Sequence, residues 1–320
     1  LEKRGQNYLA PGDMFGDWLA PEYTDRGLIS TAYWAYDSHL MQKIATALGH
    51  DDDAAHYGQM FKNIREAFCK EYFDSEGYTR YNDNGTVKRI DTQASYILPI
   101  YFGLLDGQLL DTAARHLAAA VERNGRKLTT GFLGTPYICP VLSATGRSDL
   151  AYDLFTQEGY PSWLFPVLQG ATTMWERWNS YTVKNGFGPV SMNSFNHYAY
   201  GAIEEWMMGN SLGIRSDEAQ PGYKHFFIEP ELSEKFSFIS GGFDNMYGPI
   251  ASKWQRGADG SVDFEFTVPA NTTATLLLPA AYKLKVLEGK QGMGKMSTAD
   301  GKTSISLVAG VYKIRATMPR

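Results

Sequence analysis

The sequence predicts a chain of the α+β multidomain class, a helical array over residues 1–216 followed by a β-sandwich over residues 217–320. Apolar residues recur at helical spacing through the first two-thirds, and the period shortens to two beyond Pro221. The connections between helical segments are short, so neighbouring helices should lie antiparallel.

Leu40, Ile44 and Leu48 form the first stripe, and Gly49 supplies a stop. Asp51, Asp52 and Asp53 open the next helix, where negative charge favours the positive end of the helix dipole. Its stripe is Tyr57, Met60, Phe61, Ile64 and Phe68. Leu110, Ala113, Ala114, Leu117 and Val121 make another. Residues 92–105, 135–145, 148–157 and 194–209 are further helical candidates, and the count comes to about eight helices of roughly 10–14 residues each. Between them lie aromatic- and glycine-rich segments at 12–21, 129–136, 160–178 and 185–197. Loops of that kind carry function on a rigid scaffold, and they should gather at one end of the array.

In the second part, Val262, Phe264, Phe266 and Val268 alternate with Asp263, Glu265 and Thr267, the pattern of a half-buried strand. Residues 272–278, 284–287, 304–308 and 312–316 are further strands, with Asp259-Gly260 and Asp300-Gly301 as turns. Short strands at regular spacing predict a sandwich.

Composition narrows the function classes. The formal net charge is -5 with no dense Lys/Arg block, so a nucleic-acid partner has no electrostatic footprint. No apolar run reaches the roughly 18 residues of a membrane span. Cys69 and Cys139 lie far apart; one disulfide between them is open, and two buried free thiols are the favoured reading. No CxxC, Cys/His or HExxH spacing occurs, so no metal or cofactor is implied.

Residues 170–178, Gly-Ala-Thr-Thr-Met-Trp-Glu-Arg-Trp, set one carboxylate, Glu176, between Trp175 and Trp178. Glycoside hydrolysis needs a placed carboxyl group beside the scissile bond. It also needs flat apolar faces for the sugar ring. Tryptophans on neighbouring turns also serve ordinary cores, so this stretch alone leaves both readings open.

Several segments taken together resemble the α-L-rhamnosidases of glycoside hydrolase family 78. Gly16-Asp17-Trp18-Leu19 is similar to the family's GDWL segment, and Thr130-Gly131-Phe132-Leu133-Gly134-Thr135 to its TGFLGT loop. Residues 170–178 resemble the GATTxWERW segment, and residues 194–201, Ser-Phe-Asn-His-Tyr-Ala-Tyr-Gly, the SxNHYAxG segment. Residues 222–226 and 268–275 resemble the C-terminal β-domain. The resemblance implies an (α/α)6 barrel followed by a β-sandwich, and inverting hydrolysis of terminal α-L-rhamnose in an oligosaccharide or glycoside. It makes Glu176 the general base and His197 a residue contacting sugar or water. Asp17, Trp18 and Trp175 would line the rhamnose pocket. Phe132 and Trp163, in the neighbouring loops, are candidate pocket walls.

One departure stands out. The family's general acid is a glutamate in an Asp- and Arg-rich segment upstream of GDWL. No such segment is present, and Glu22 and Asp25, which follow GDWL, do not match it. Roughly 215 residues are also too few for a complete barrel at helix lengths of about 10–14 residues plus loops. The chain therefore reads as a barrel incomplete at its N-terminal side, with little activity expected of it alone. A non-catalytic carbohydrate-binding remnant and another inverting glycosidase on the same barrel are the competing readings.

Overall fold

The computed structural model describes residues 2–13, 15–83 and 85–318. They form two compact units, residues 1–203 and 204–320. The sequence placed this division at residues 216 and 217.

The first unit is mainly helical. Helix α1 (Arg26–Leu48) starts where the Asp25 carboxylate accepts the Leu28 N–H at 2.8 Å. It ends at Gly49, whose φ of 74° lets His50 N–H reach the Ala45 carbonyl. Leu28, Ile29, Ala32 and Ala35 are buried, whereas Ile44 and Leu48 are 50% and 66% exposed. The stripe read from Leu40, Ile44 and Leu48 thus faces outward. At 3.6 residues per turn, a row of fourth neighbours drifts by about 40° each step. Between Leu28 and Leu48 it turns through about 200°, to the other side of the helix.

Helix α2 (Asp51–Tyr72) carries Asp51, Asp52 and Asp53 in its first turn and buries Met60, Ile64, Phe68 and Tyr72. Strands β1 (Arg80–Asp83) and β2 (Thr86–Arg89) form an antiparallel hairpin that no sequence period announced, because β2 is exposed on both faces. Helix α3 (Gln93–Tyr101) opens with a reciprocal capping box between Thr92 and Ser95. It stops short of the expected residue 105, because Gly103 turns left-handed at φ 71°. Helices α4 (Gly107–Arg123), α5 (Thr135–Ala144) and α6 (Ser148–Phe155) follow the periodicity, and a short α7 (Leu164–Leu168) adds to it.

Strands β3 (Tyr181–Thr182) and β4 (Gly186–Phe187) form a second small hairpin. The expected helix over 194–209 is broken. Its first residues are a loop, then come a 3₁₀ turn at Ala199–Ala202, helix α8 (Ile203–Trp206) and a π turn at Met207–Ser211. Apolar spacing there reflects burial of Tyr200, Ile203 and Trp206 rather than one continuous helix.

The second unit holds two five-stranded sheets. One contains β5 (Ile214–Ser216), β6 (His225–Ile228), β10 (Thr273–Pro279), β12 (Met293–Ala299) and β13 (Lys302–Leu307), in the order β12-β13-β10-β6-β5. The other contains β7 (Phe238–Asn245), β8 (Gly248–Arg256), β9 (Val262–Val268), β11 (Lys283–Glu288) and β14 (Gly310–Thr317), in the order β11-β14-β9-β8-β7. Pairing is antiparallel except between β6 and β10. Both sheets feed one core, with Phe226, Leu276 and Ile305 from the first and Trp254, Phe264, Phe266 and Ile314 from the second. Strand β9 alternates buried and half-buried along its whole length, as its sequence requires. Asp300 and Gly301 both take positive φ, 49° and 74°, giving the tight turn from β12 into β13. No helix among the described residues is long and apolar enough to cross a membrane.

Candidate active site

The aromatic- and glycine-rich loops of the first unit meet through main-chain contacts. The Asp17 carboxylate accepts three backbone N–H groups from the 131–134 loop. Oδ2 takes Gly131 at 2.8 Å, and Oδ1 takes Leu133 at 2.7 Å and Gly134 at 3.1 Å. The residue is partly buried. Desolvation raises its pKa while the three amides pull it down, and burial outweighs them.

Trp18 follows, 44% exposed, with its carbonyl accepting the Phe132 N–H at 3.0 Å. The approach is so close that a Cβ on Gly131 would lie 2.1 Å from the Trp18 oxygen, so only glycine fits. Thr130 and Thr135 share a 2.8 Å hydroxyl bond across the base of this loop.

Phe132 stacks on His197 with ring centroids 4.9 Å apart. His197 Nδ1 accepts the Ala199 N–H at 3.2 Å, so the neutral ring carries its proton on Nε2, which is left to donate. The His197 N–H in turn donates to the Met174 carbonyl at 2.9 Å. Two residues away, Glu176 and Ser194 bond twice. The Glu176 N–H donates to the Ser194 carbonyl at 2.9 Å, and Glu176 Oε2 accepts the Ser194 N–H at 2.7 Å. The Thr173 hydroxyl donates to the Phe195 carbonyl on the same seam. Glu176 and His197 therefore sit on two chain segments zipped together, and one carboxylate oxygen is fixed by a main-chain donor.

Trp163 and Trp175 are 5% and 6% exposed, so most of each indole is packed inside the unit. The indole N–H of Trp163 donates to the Tyr200 carbonyl at 2.9 Å, and that of Trp178 to the Thr130 carbonyl at 3.0 Å. Trp175 packs edge-on against Phe195. Tyr200 stacks on Trp178 at 3.8 Å and meets Phe132 edge-on. Its buried hydroxyl has no hydrogen-bond partner among the described residues, and burial drives its pKa upward.

Asp17, Trp18, Phe132 and His197 are thus joined in one run of contacts, and Glu176 joins it through the seam. Sequence reasoning missed Ser194, Gly131 and Tyr200. Gly131 alone had a signal, as a glycine inside an aromatic loop. Ser194 acts through its backbone, which no residue type reveals. Neither Cys69 nor Cys139 is in a disulfide among the described residues; Cys139 is buried and Cys69 partly so.

Residues 1–210 match the family model of the bacterial alpha-L-rhamnosidase 6 hairpin glycosidase domain, and residues 213–293 that of the bacterial alpha-L-rhamnosidase C-terminal domain. The chain is 40% identical over 287 residues to an alpha-L-rhamnosidase of Streptomyces avermitilis, covering 89% of this chain and 26% of that protein. Its structure is similar to that of a Streptomyces avermitilis alpha-L-rhamnosidase complexed with L-rhamnose, with a TM-score of 0.88 and 36% identity, over 99% of this chain and 29% of the other. It is also similar to a native alpha-L-rhamnosidase from Aspergillus terreus, with a TM-score of 0.83 and 29% identity, over 98% of this chain and 34% of the other. The chain therefore spans between a quarter and about a third of the length of these relatives.

Proposed function

Because the chain belongs to the bacterial α-L-rhamnosidase family, we propose that it serves the inverting hydrolysis of terminal α-L-rhamnosides, with Glu176 as general base. The observation that carries this reading is the Glu176 carboxylate, anchored at Oε2 by the Ser194 N–H beside His197. Oε1 is then the oxygen that takes a proton from water. In this reading the helical unit is part of an (α/α)6 barrel, and the two five-stranded sheets form a β-sandwich.

Each side chain has a part. An inverting base draws its proton from a water on the face of the sugar opposite the leaving group, and the two carboxyls stand about 6.5–9.5 Å apart to admit it. A base takes up a proton only through a free lone pair, and the Ser194 N–H fixes one of the two Glu176 oxygens. His197 offers Nε2–H to a sugar hydroxyl or to the water. Trp18, half exposed, gives the ring an apolar face, and Phe132 holds the imidazole in place. The substrate is a rhamnose-containing oligosaccharide or glycoside, as suits a family with a relative complexed with L-rhamnose. No segment of this chain matches the family's acid-bearing motif, so the reading assigns the leaving-group proton to a carboxyl outside the residues named here. The chain alone is then slow on unactivated glycosides.

The test uses α-L-rhamnosyl fluoride, whose leaving group departs as a stable anion without a proton. The chain should hydrolyse it and release the β-anomer first, seen by NMR. Glu176→Gln should lower the rate by about 10²–10⁴-fold, the usual worth of general base help. First release of the α-anomer, or a Glu176→Gln variant with the parent rate, would overturn the assignment.

A further inference from the structure

The geometry points to Asp17 as a positioning residue: its carboxylate is a three-amide clamp that holds Trp18 and the Phe132–His197 stack as one unit, and it does not touch the sugar. This deepens the proposed function and rests on it for what the clamp positions.

Both carboxylate oxygens are committed. Oδ2 accepts from Gly131, and Oδ1 from Leu133 and Gly134. A carboxylate is an acceptor-only group with about four lone-pair sites, and three are filled by main-chain donors. The residue is also partly buried. Little is left with which to meet a sugar hydroxyl.

What the clamp fixes is specific. Phe132 lies between two clamped residues, and its own N–H is spent on the Trp18 carbonyl. The backbone of residues 131–134 is therefore pinned on both sides of the Phe132 side chain, and the ring is aimed at His197. On the other strand, Trp18 stands between Asp17 and Leu19. Leu19 takes φ 61°, rare for a residue with a branched side chain, and Ala20 N–H closes the turn onto the Asp17 carbonyl. One carboxylate thus sets two neighbours of the sugar relative to each other. An amide at position 17 cannot do this, because its NH₂ would face one of the loop N–H groups.

The experiment compares the 320-residue chain with its Asp17→Asn, Asp17→Ala, Phe132→Leu and Glu176→Gln variants. Amide hydrogen exchange at Gly131, Leu133 and Gly134, the NMR signals of the His197 ring, and L-rhamnose affinity are measured well below each melting point. In Asp17→Asn the three amides should exchange at least ~tenfold faster, the His197 signals should shift, and rhamnose affinity should fall about tenfold. Phe132→Leu should move the His197 signals while the three amides stay protected, and Glu176→Gln should leave the three amides protected. Asp17→Asn, close in shape to the parent, carries the test if Asp17→Ala does not fold, and Phe132→Leu tests the second half of the linkage independently of position 17. Amides that stay protected in Asp17→Asn would overturn the clamp. Faster exchange with unmoved His197 signals would reduce it to local stability. Lost rhamnose binding with protection and His197 unchanged would mean a direct sugar contact. A parent chain that neither binds nor hydrolyses a rhamnoside counts against the functional reading alone, since exchange and the His197 signals still decide what Asp17 does.

Discussion

At the scale of single residues, the site depends on close main-chain approaches more than on reactive side chains. Gly131 is the sharpest case. A methyl group there would meet the Trp18 oxygen at 2.1 Å and the Ala20 nitrogen at 2.7 Å. Neither atom is the loose end of a side chain, so the two loops must part. Gly131→Ala should therefore destabilise the first unit by about 1–3 kcal/mol, the usual cost of overpacking. Gly12→Ala, whose Cβ would find only ordinary contacts at 3.7 Å and beyond, should stay within about ±0.5 kcal/mol. Urea unfolding of both variants measures the difference, and equal midpoints would show that the loops yield without cost. Glu176, Trp18, His197 and Phe132 could be named as candidates from the sequence because residue type and motif single them out. The Ser194 N–H and the Asp17 clamp were not, because a backbone donor looks the same in every residue and a carboxylate does not announce its partner 114 residues away.

At the scale of elements, the sequence spoke clearly where one face is buried throughout and failed where the face changes. Helix α2 keeps Met60, Ile64 and Phe68 buried along its length, and its stripe was read as it stands. In α1 the fourth-neighbour row winds off the buried side, so Leu48 looks like core and is exposed. This sets a contrast. Ile64→Ala should cost about 2–5 kcal/mol, a lost side chain plus the cavity left behind. Leu48→Ala should remain within about ±0.5 kcal/mol, as surface changes do. A loss of several kcal/mol at Leu48 would mean that this stretch of α1 is covered in solution. Of the missed strands, β7 obeys the same logic, although β8 alternates and was missed as well. Strand β9 alternates and was found, whereas β7 carries Gly241 and Gly242 and buries neither face fully.

At the scale of the whole molecule, the order of the two parts was legible because periods of 3.6 and 2 are physically incompatible and switch once along the chain. The helical run before the switch was less legible, because the α8 region mixes 3₁₀, α and π turns whose apolar residues still share one buried side. How the parts divide the chemistry is the remaining question, and it turns on the leaving group. A base alone helps water attack, but an alkoxide still has to depart. If Glu176 is the working carboxyl and the acid is not among these residues, the rate should depend steeply on how readily the leaving group departs unprotonated. Rhamnosyl fluoride and nitrophenyl rhamnoside should be turned over, and methyl α-L-rhamnoside should be slower by more than the roughly 10²–10⁴-fold that an acid would supply. Steady-state rates over a series of aryl rhamnosides give the slope. A flat dependence would mean that this chain protonates its own leaving group. Glu22, with a carboxylate oxygen buried and without a hydrogen-bond partner among the described residues, would then be the first carboxyl to change, as Glu22→Gln.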